Sequence, residues 1–370
     1  MFAGIVVLIA VLLVLVVLHV LDDAFRVLRE HGDLPVKANM RWSIRAMWML
    51  LVLAVGQFFL PDGFLEPAPP TPEPLPQVAT FTEDGLWSGA DTARLLHLED
   101  ELEARIRYGR ELIARTSAYL GPNGSVAQLT NGLNCQNCHL DAGTKPWGNN
   151  YGAVWSTYPK VRSRSGKLES VEKRVNDCME RSLNGVALDS ASREMRAIVA
   201  YIEWLGTGTA KDSVPKGTGI EKLAFLDRAA DPMRGHEVFN AKCVSCHGPQ
   251  GEGTMSADGA TYQYPPLWGE HSYNQGAGLY RLSRFAGYVK ANMPQGAAYD
   301  HPQLTDEEAW DVAAFVNSQP RPVKDLTGDW PDISKKPIDH PFGPYSDTFT
   351  ETQHKYGPFG PIAEARKKEK

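Results

Sequence analysis

The five residues Cys135-Gln136-Asn137-Cys138-His139 recur 108 residues further on as Cys243-Val244-Ser245-Cys246-His247, and nothing else in the 370-residue chain constrains its fold so tightly. Cys-x-x-Cys-His offers two thiols to the vinyl groups of a porphyrin and an imidazole to its iron, the spacing of covalent c-type haem attachment. A redox dithiol needs no following histidine, and two copies on an exported chain argue against half of a zinc site. Each copy is followed, after 40 to 50 residues, by a candidate sulfur ligand and then by an amphipathic helix. In the first unit Met195, Ile198, Val199 and Ile202 keep helical spacing up to Gly206, with Asp189 as the expected N-cap. In the second, Thr305 and Glu308 form a capping-box pattern ahead of Trp310, Val312, Ala313, Phe315 and Val316. The Gly-, Thr-, Lys- and Ser-rich stretch 206–219 marks the boundary between them. A mainly α chain is expected, with two tandem class I-like cytochrome c domains at 91–212 and 213–325 and a Pro-rich tail, 326–370, that wraps the surface. The 26 prolines and 33 glycines fit irregular backbone around a bulky cofactor, and a β-rich fold is not indicated.

The first 21 residues carry no charge, and residues 3–21 are almost entirely Ile, Val, Leu and Ala, close to the roughly 20 residues that span a bilayer. A cleaved signal peptide would want a basic start and a small-residue cleavage site, which the segment to Phe25 does not offer. Residues 1–21 and 46–61 are therefore expected to be two transmembrane helices, with Trp42, Arg45 and Trp48 at the interface of the second. The connector 22–45 holds Arg26, Arg29, Lys37, Arg41 and Arg45, which places it in the cytoplasm. The linker 62–90, stiffened by prolines from Pro67 to Pro76, would hold the haem domains off the outer face, in the periplasm or an extracytoplasmic space. The expected partners include the lipid bilayer and no nucleic acid.

Four of the five cysteines belong to the haem motifs, which leaves Cys178 over. It continues a stripe of Leu168, Val171 and Val175 that runs on to Ser182, and Arg174 and Arg181 lie one helical turn from it on either side. Guanidinium groups favour a thiolate over a thiol. A buried structural cysteine remains the alternative. Between Lys160 and Arg181 seven basic residues face four acidic ones, whereas the chain beyond residue 45 carries a net charge of −7. A basic site on an acidic domain suits a small anionic substrate. For the second haem, Met293 in Ala-Asn-Met-Pro-Gln-Gly is the one methionine at a suitable distance past His247, since Met255 follows too closely.

The stretch from Arg174 to Gly185, Ser-Arg-Glu-Met-Arg-Ala-Ile-Val-Ala-Tyr at 192–201, Tyr264-Pro-Pro-Leu-Trp-Gly, Lys290-Ala-Asn-Met-Pro and the tail Gln353-His-Lys-Tyr-Gly-Pro-Phe-Gly-Pro-Ile resemble the dihaem thiosulfate dehydrogenases, or tetrathionate synthases. The resemblance covers roughly residues 91–365. It implies two covalently bound haem c groups, the catalytic one ligated by His139 and the thiolate of Cys178, the electron-transfer one by His247 and Met293. It also implies a pocket of Arg164, Arg174 and Ser182 that handles thiosulfate or tetrathionate, to which helical geometry adds Arg181. A soluble or membrane-bound acceptor would take the electrons. In some relatives a lysine precedes the methionine and competes for iron; here that position is Asn292, leaving Lys290 as the nearest lysine. A membrane-tethered electron carrier with no substrate of its own, such as an oxidase-associated subunit, is the alternative.

Overall fold

In a computed structural model of the chain, the described residues are 26, 86–87, 100–257 and 259–368. Both expected spans, nearly all of the connector and most of the linker lie outside them. Among the described residues no helix is long and apolar enough to cross a membrane. The chain divides into a unit Met1–Glu73, of which only Arg26 is described, and a unit Pro74–Lys370 that contains everything below.

The first haem motif lies between helix α1 (Asp100–Ala114) and, further on, α2 (Val171–Arg181) and α3 (Arg193–Leu205). α1 crosses α3, and their apolar faces, with Ile106, Leu112, Met195, Tyr201 and Ile202 all but sealed from solvent, form the first core. The second motif is framed in the same way by α4 (Pro232–Lys242), α5 (Leu282–Asn292) and α6 (Asp306–Ser318), with α4 crossing α6 over Phe239, Trp310 and Ala313. The duplication extends to the crossings. A Cβ on Gly109 would lie 2.0 Å from the Ala197 carbonyl oxygen, and one on Gly235 would lie 1.9 Å from that of Asp311, so glycine is what lets each helix pair approach. Among the described residues, strands are confined to two short antiparallel pairs, β1 (Lys160–Arg162) with β2 (Lys167–Glu169) and β3 (Thr254–Met255) with β4 (Tyr262–Tyr264).

The Thr305–Glu308 capping box forms as expected, Thr305 Oγ1 accepting from Glu308 N at 3.1 Å and Glu308 Oε2 from Thr305 N at 2.8 Å. α3 starts later than expected. Its cap is Ser192, which accepts from Met195 N, while Asp189 caps only the preceding turn through Ala191 N. The tail is not merely a wrap. It forms α7 (Glu351–Tyr356) and α8 (Gly360–Lys368), and Phe359 and Ile362 complete the second core. Within the expected linker, Leu86 and Trp87 are buried and Trp87 N donates to Lys216 O. The two halves interlock. Tyr288 Oη donates to the Asn137 carbonyl inside the first haem motif at 3.0 Å, Asn292 Nδ2 to Trp147 O at 3.2 Å, and Cys138 packs against the second core.

Candidate active site

The first motif is fixed by neighbours on both sides. Thr116 Oγ1 accepts from Cys135 N at 2.9 Å, Asn134 Oδ1 accepts from Ser117 N at 2.8 Å, and Asn137 Oδ1 closes the turn by accepting from Asn134 N. His139 Nδ1 is 2.5 Å from the Asn149 carbonyl and His247 Nδ1 is 2.9 Å from that of Pro265. A carbonyl can only accept, so in both rings Nδ1 carries a proton, which leaves Nε2 as the nitrogen that would meet a metal.

Cys135, Cys138 and His139 open onto a cavity of about 850 Å³, and Cys178 lines the same cavity. The hairpin β1–β2 and helix α2 bring its basic wall together. The chain reverses at Gly166, in left-handed conformation (φ +68°), and returns to Ser170, whose side chain caps α2 by accepting from Lys173 N. Arg164 in the hairpin turn is thereby brought within electrostatic reach of Arg174 on the helix, and both line the cavity with Arg162, Cys178 and Ser182. Arg174 Nη1 lies 3.1 Å from Cys178 Sγ. Loss of water pushes the Cys178 thiol up, but the charge of Arg174 and the facing His139 outweigh this and bring it down to about 6. Burial pushes Cys135 and Cys138 the other way, to about 11 and 12. One sulfur of the three is thus poised as a thiolate. The neighbouring Met179 also touches the cavity, yet it is only 1% exposed and belongs to the first core.

Two expectations for this helix need correction. Leu168 lies on β2, 68% exposed, and heads no stripe because the hairpin ends before α2 begins. Arg181 does not line the cavity. Its Nη1 and Nη2 each donate at 2.8 Å to the carboxylate of Asp329 in the tail, with both side chains 12% exposed. The next residue, Trp330, donates its backbone N–H to Arg164 O at 2.6 Å and lays its ring under the Arg164 guanidinium. The tail therefore supports the wall that carries Arg164, a role no local sequence signal announces.

Around the second motif, Cys243 and Met293 pack against the second core and His247 is buried. Met293 closes α5 as its C-cap. Lys290 is engaged elsewhere, donating to Leu304 O at 2.6 Å and pairing with Asp306 at 2.8 Å. Cavity, paired thiols and Nε2-directed imidazoles fit haem. Buried Arg321 adds to the fit, because its Nε and Nη1 have no hydrogen-bond partner among the described residues, as a propionate would require.

Residues 125–210 match the family described as "SoxA/TsdA, cytochrome c domain" and residues 232–320 the family "Cytochrome c". The thiosulfate dehydrogenase of Allochromatium vinosum is 41% identical over 228 residues, covering 59% of this chain and 82% of that protein. That of Psychrobacter arcticus is 37% identical, covering 63% and 68%. The solved thiosulfate dehydrogenase of Marichromatium purpuratum, in its as-isolated form, superposes with a TM-score of 0.56 at 31% identity over 65% of this chain, which spans about half (49%) of that longer protein. With two cytochrome c domains and 41% identity over 82% of the Allochromatium vinosum protein, the chain belongs to the thiosulfate dehydrogenase family.

Proposed function

We propose that the chain joins two thiosulfates into tetrathionate, or runs the reverse reaction, with two covalently attached haems held outside the cytoplasmic membrane by two N-terminal helices. The observation that carries the chemistry is the contact of Arg174 with Cys178 in a cavity where, among the described residues, every charged lining side chain except Glu221 is basic. A pure electron carrier needs neither. Bound haem would supply iron for His139 and Cys178 in the first domain and His247 and Met293 in the second, and two one-electron sinks for a two-electron coupling.

The protein's own groups do the rest. Arg174 and Arg164 hold the first dianion and offset its repulsion by the second, with Ser182 on the same wall. Cys178 Sγ attacks the sulfane sulfur, forming a Cys–S–S–sulfonate and releasing two electrons. The second thiosulfate attacks that sulfane sulfur, making the central S–S bond of tetrathionate and returning Cys178 as thiolate. The basic connector 22–45 and the covalent-haem motifs support an extracytoplasmic, membrane-tethered setting. The test is thiosulfate added to the oxidised, purified holoprotein. Reduction of both haems with stoichiometric tetrathionate is expected, and no reduction would leave the carrier reading.

A further inference from the structure

The cavity wall has a second basic part, which the reaction as drawn leaves unused. Arg281 and Arg284, at the start of α5 in the second domain, line the cavity opposite Arg162 on β1 of the first. These three cations have different partners. Arg281 is held by Asp339, its Nε and Nη2 donating to Oδ1 at 2.8 and 2.5 Å, while Asp339 Oδ2 accepts from Ser283 Oγ and N. Arg162 Nη1 donates to Tyr158 Oη at 2.7 Å, and its Nε lies 3.9 Å from Glu169.

The Arg284 guanidinium makes no hydrogen bond or ion pair with any described residue. It is nonetheless largely withdrawn from water, and burial, then the like charges of Arg281 and Arg162, press against its ionisation. The carboxylate that reaches it, Asp339, is already engaged by Arg281 and Ser283. A withdrawn cation faced by cations is costly until an anion closes the set. This group is distinct from the one at the thiolate, where Arg174 contacts Cys178. Tyr158 stands between the two groups, hydrogen-bonded to Arg162 and within electrostatic reach of Arg174.

We propose that Arg284 and Arg162 form an outer sulfonate subsite, assembled from both haem domains, that holds the second sulfur oxyanion while the first lies at Cys178. The proposal rests on the thiosulfate-coupling reading above. Tetrathionate carries a sulfonate at each end of a four-sulfur chain, and the Arg174–Arg164 group at the sulfur offsets only one of them. Two guanidiniums further along the same wall offset the other, so that both dianions are tolerated in one cavity.

The experiment uses purified holoprotein carrying Arg284→Gln, Arg284→Lys or Arg162→Gln, with binding of tetrathionate and of sulfite followed by perturbation of the haem spectrum. Tetrathionate needs both subsites, whereas sulfite, a single oxyanion, needs only the inner one. Arg284→Gln should weaken tetrathionate roughly tenfold and leave sulfite unchanged, Arg284→Lys should recover part of the loss, and Arg162→Gln, on the opposite domain, should repeat the pattern. Equal losses for both anions, or no loss for tetrathionate, would overturn the subsite. So would a shift in the potential of the first haem without any anion, which would assign Arg284 to a haem propionate instead. If the parent protein is not reduced by thiosulfate and binds no tetrathionate, the reading beneath has failed, and that result is seen without any variant.

Discussion

Asp329→Asn tests whether the tail builds the active-site wall. Asp329 accepts both Nη groups of Arg181 at 2.8 Å in a pair only 12% exposed on each side. Breaking it leaves a nearly buried guanidinium without its counter-charge, and a hydrogen bond to a charged group is worth about 1.5–3 kcal/mol. A nearly buried pair split by removing one partner costs about 3–5 kcal/mol, so with residual exposure a loss of about 3 kcal/mol is expected. At about 2–4 °C per kcal/mol for a folded unit of this size, the melting temperature should fall by about 6–12 °C. The effect should reach the substrate too, because the adjoining Trp330 N–H holds the Arg164 carbonyl at 2.6 Å. KM for thiosulfate should rise roughly three- to tenfold, about 0.7–1.4 kcal/mol of binding. Replacing both partners, Arg181→Leu with Asp329→Leu, should recover much of the stability, since no charge is then stranded. A single variant that melts within about 2 °C of the parent, set against the expected 6–12 °C, with unchanged KM, would refute the idea that the tail is anchored here.

Gly109→Ala should destabilise the first domain by about 1–3 kcal/mol or prevent haem incorporation there, because the new Cβ meets the Ala197 carbonyl 2.0 Å away; chemical denaturation and haem content measure it. Met293→Ala should keep both haems attached but lower the potential of the second and abolish its methionine-to-iron charge-transfer band. Since Lys290 is tied to Leu304 and Asp306, Met293→Ala with Lys290→Ala should give the same spectrum as Met293→Ala alone. A reporter fused after residue 90 should be active only outside the cytoplasm, and activity only inside would contradict the proposed topology.

What could be read in the chain was what local spacing carries. The Cys-x-x-Cys-His turns, the Thr305 cap and the approach of Arg174 to Cys178 are each set within a few residues, so sequence distance predicts spatial distance. Arg181 satisfies the same helical spacing yet points elsewhere, because its partner Asp329 lies 148 residues away. Trp330 beneath Arg164, and Arg281 and Arg284 opposite Arg162, are likewise products of tertiary approach. α7 and α8, of 6 and 9 residues, are too short to show a convincing period and hold through their packing on the second core. Gly109 and Gly235 look like ordinary glycines until the crossing helices are in place.

The identity of the sulfur facing the first haem decides the account most directly. Cys178 and Met179 both reach the cavity, but side chains adjacent on a helix point about 100° apart, and Cys178 is the one held by Arg174 while Met179 is sealed in the core. Electron paramagnetic resonance of the ferric holoprotein, paired with thiosulfate turnover, should be recorded for Cys178→Gly and Met179→Leu. Cys178→Gly should retain two haems per chain but lose both the low-spin signal of His/thiolate ligation and all turnover. Met179→Leu, a near volume-conserving change costing under about 1.5 kcal/mol, should keep both. If the signal and the turnover survive in Cys178→Gly and vanish in Met179→Leu, the first haem is a His/Met centre, Cys178 is a structural cysteine, and the thiolate chemistry proposed for this site is wrong.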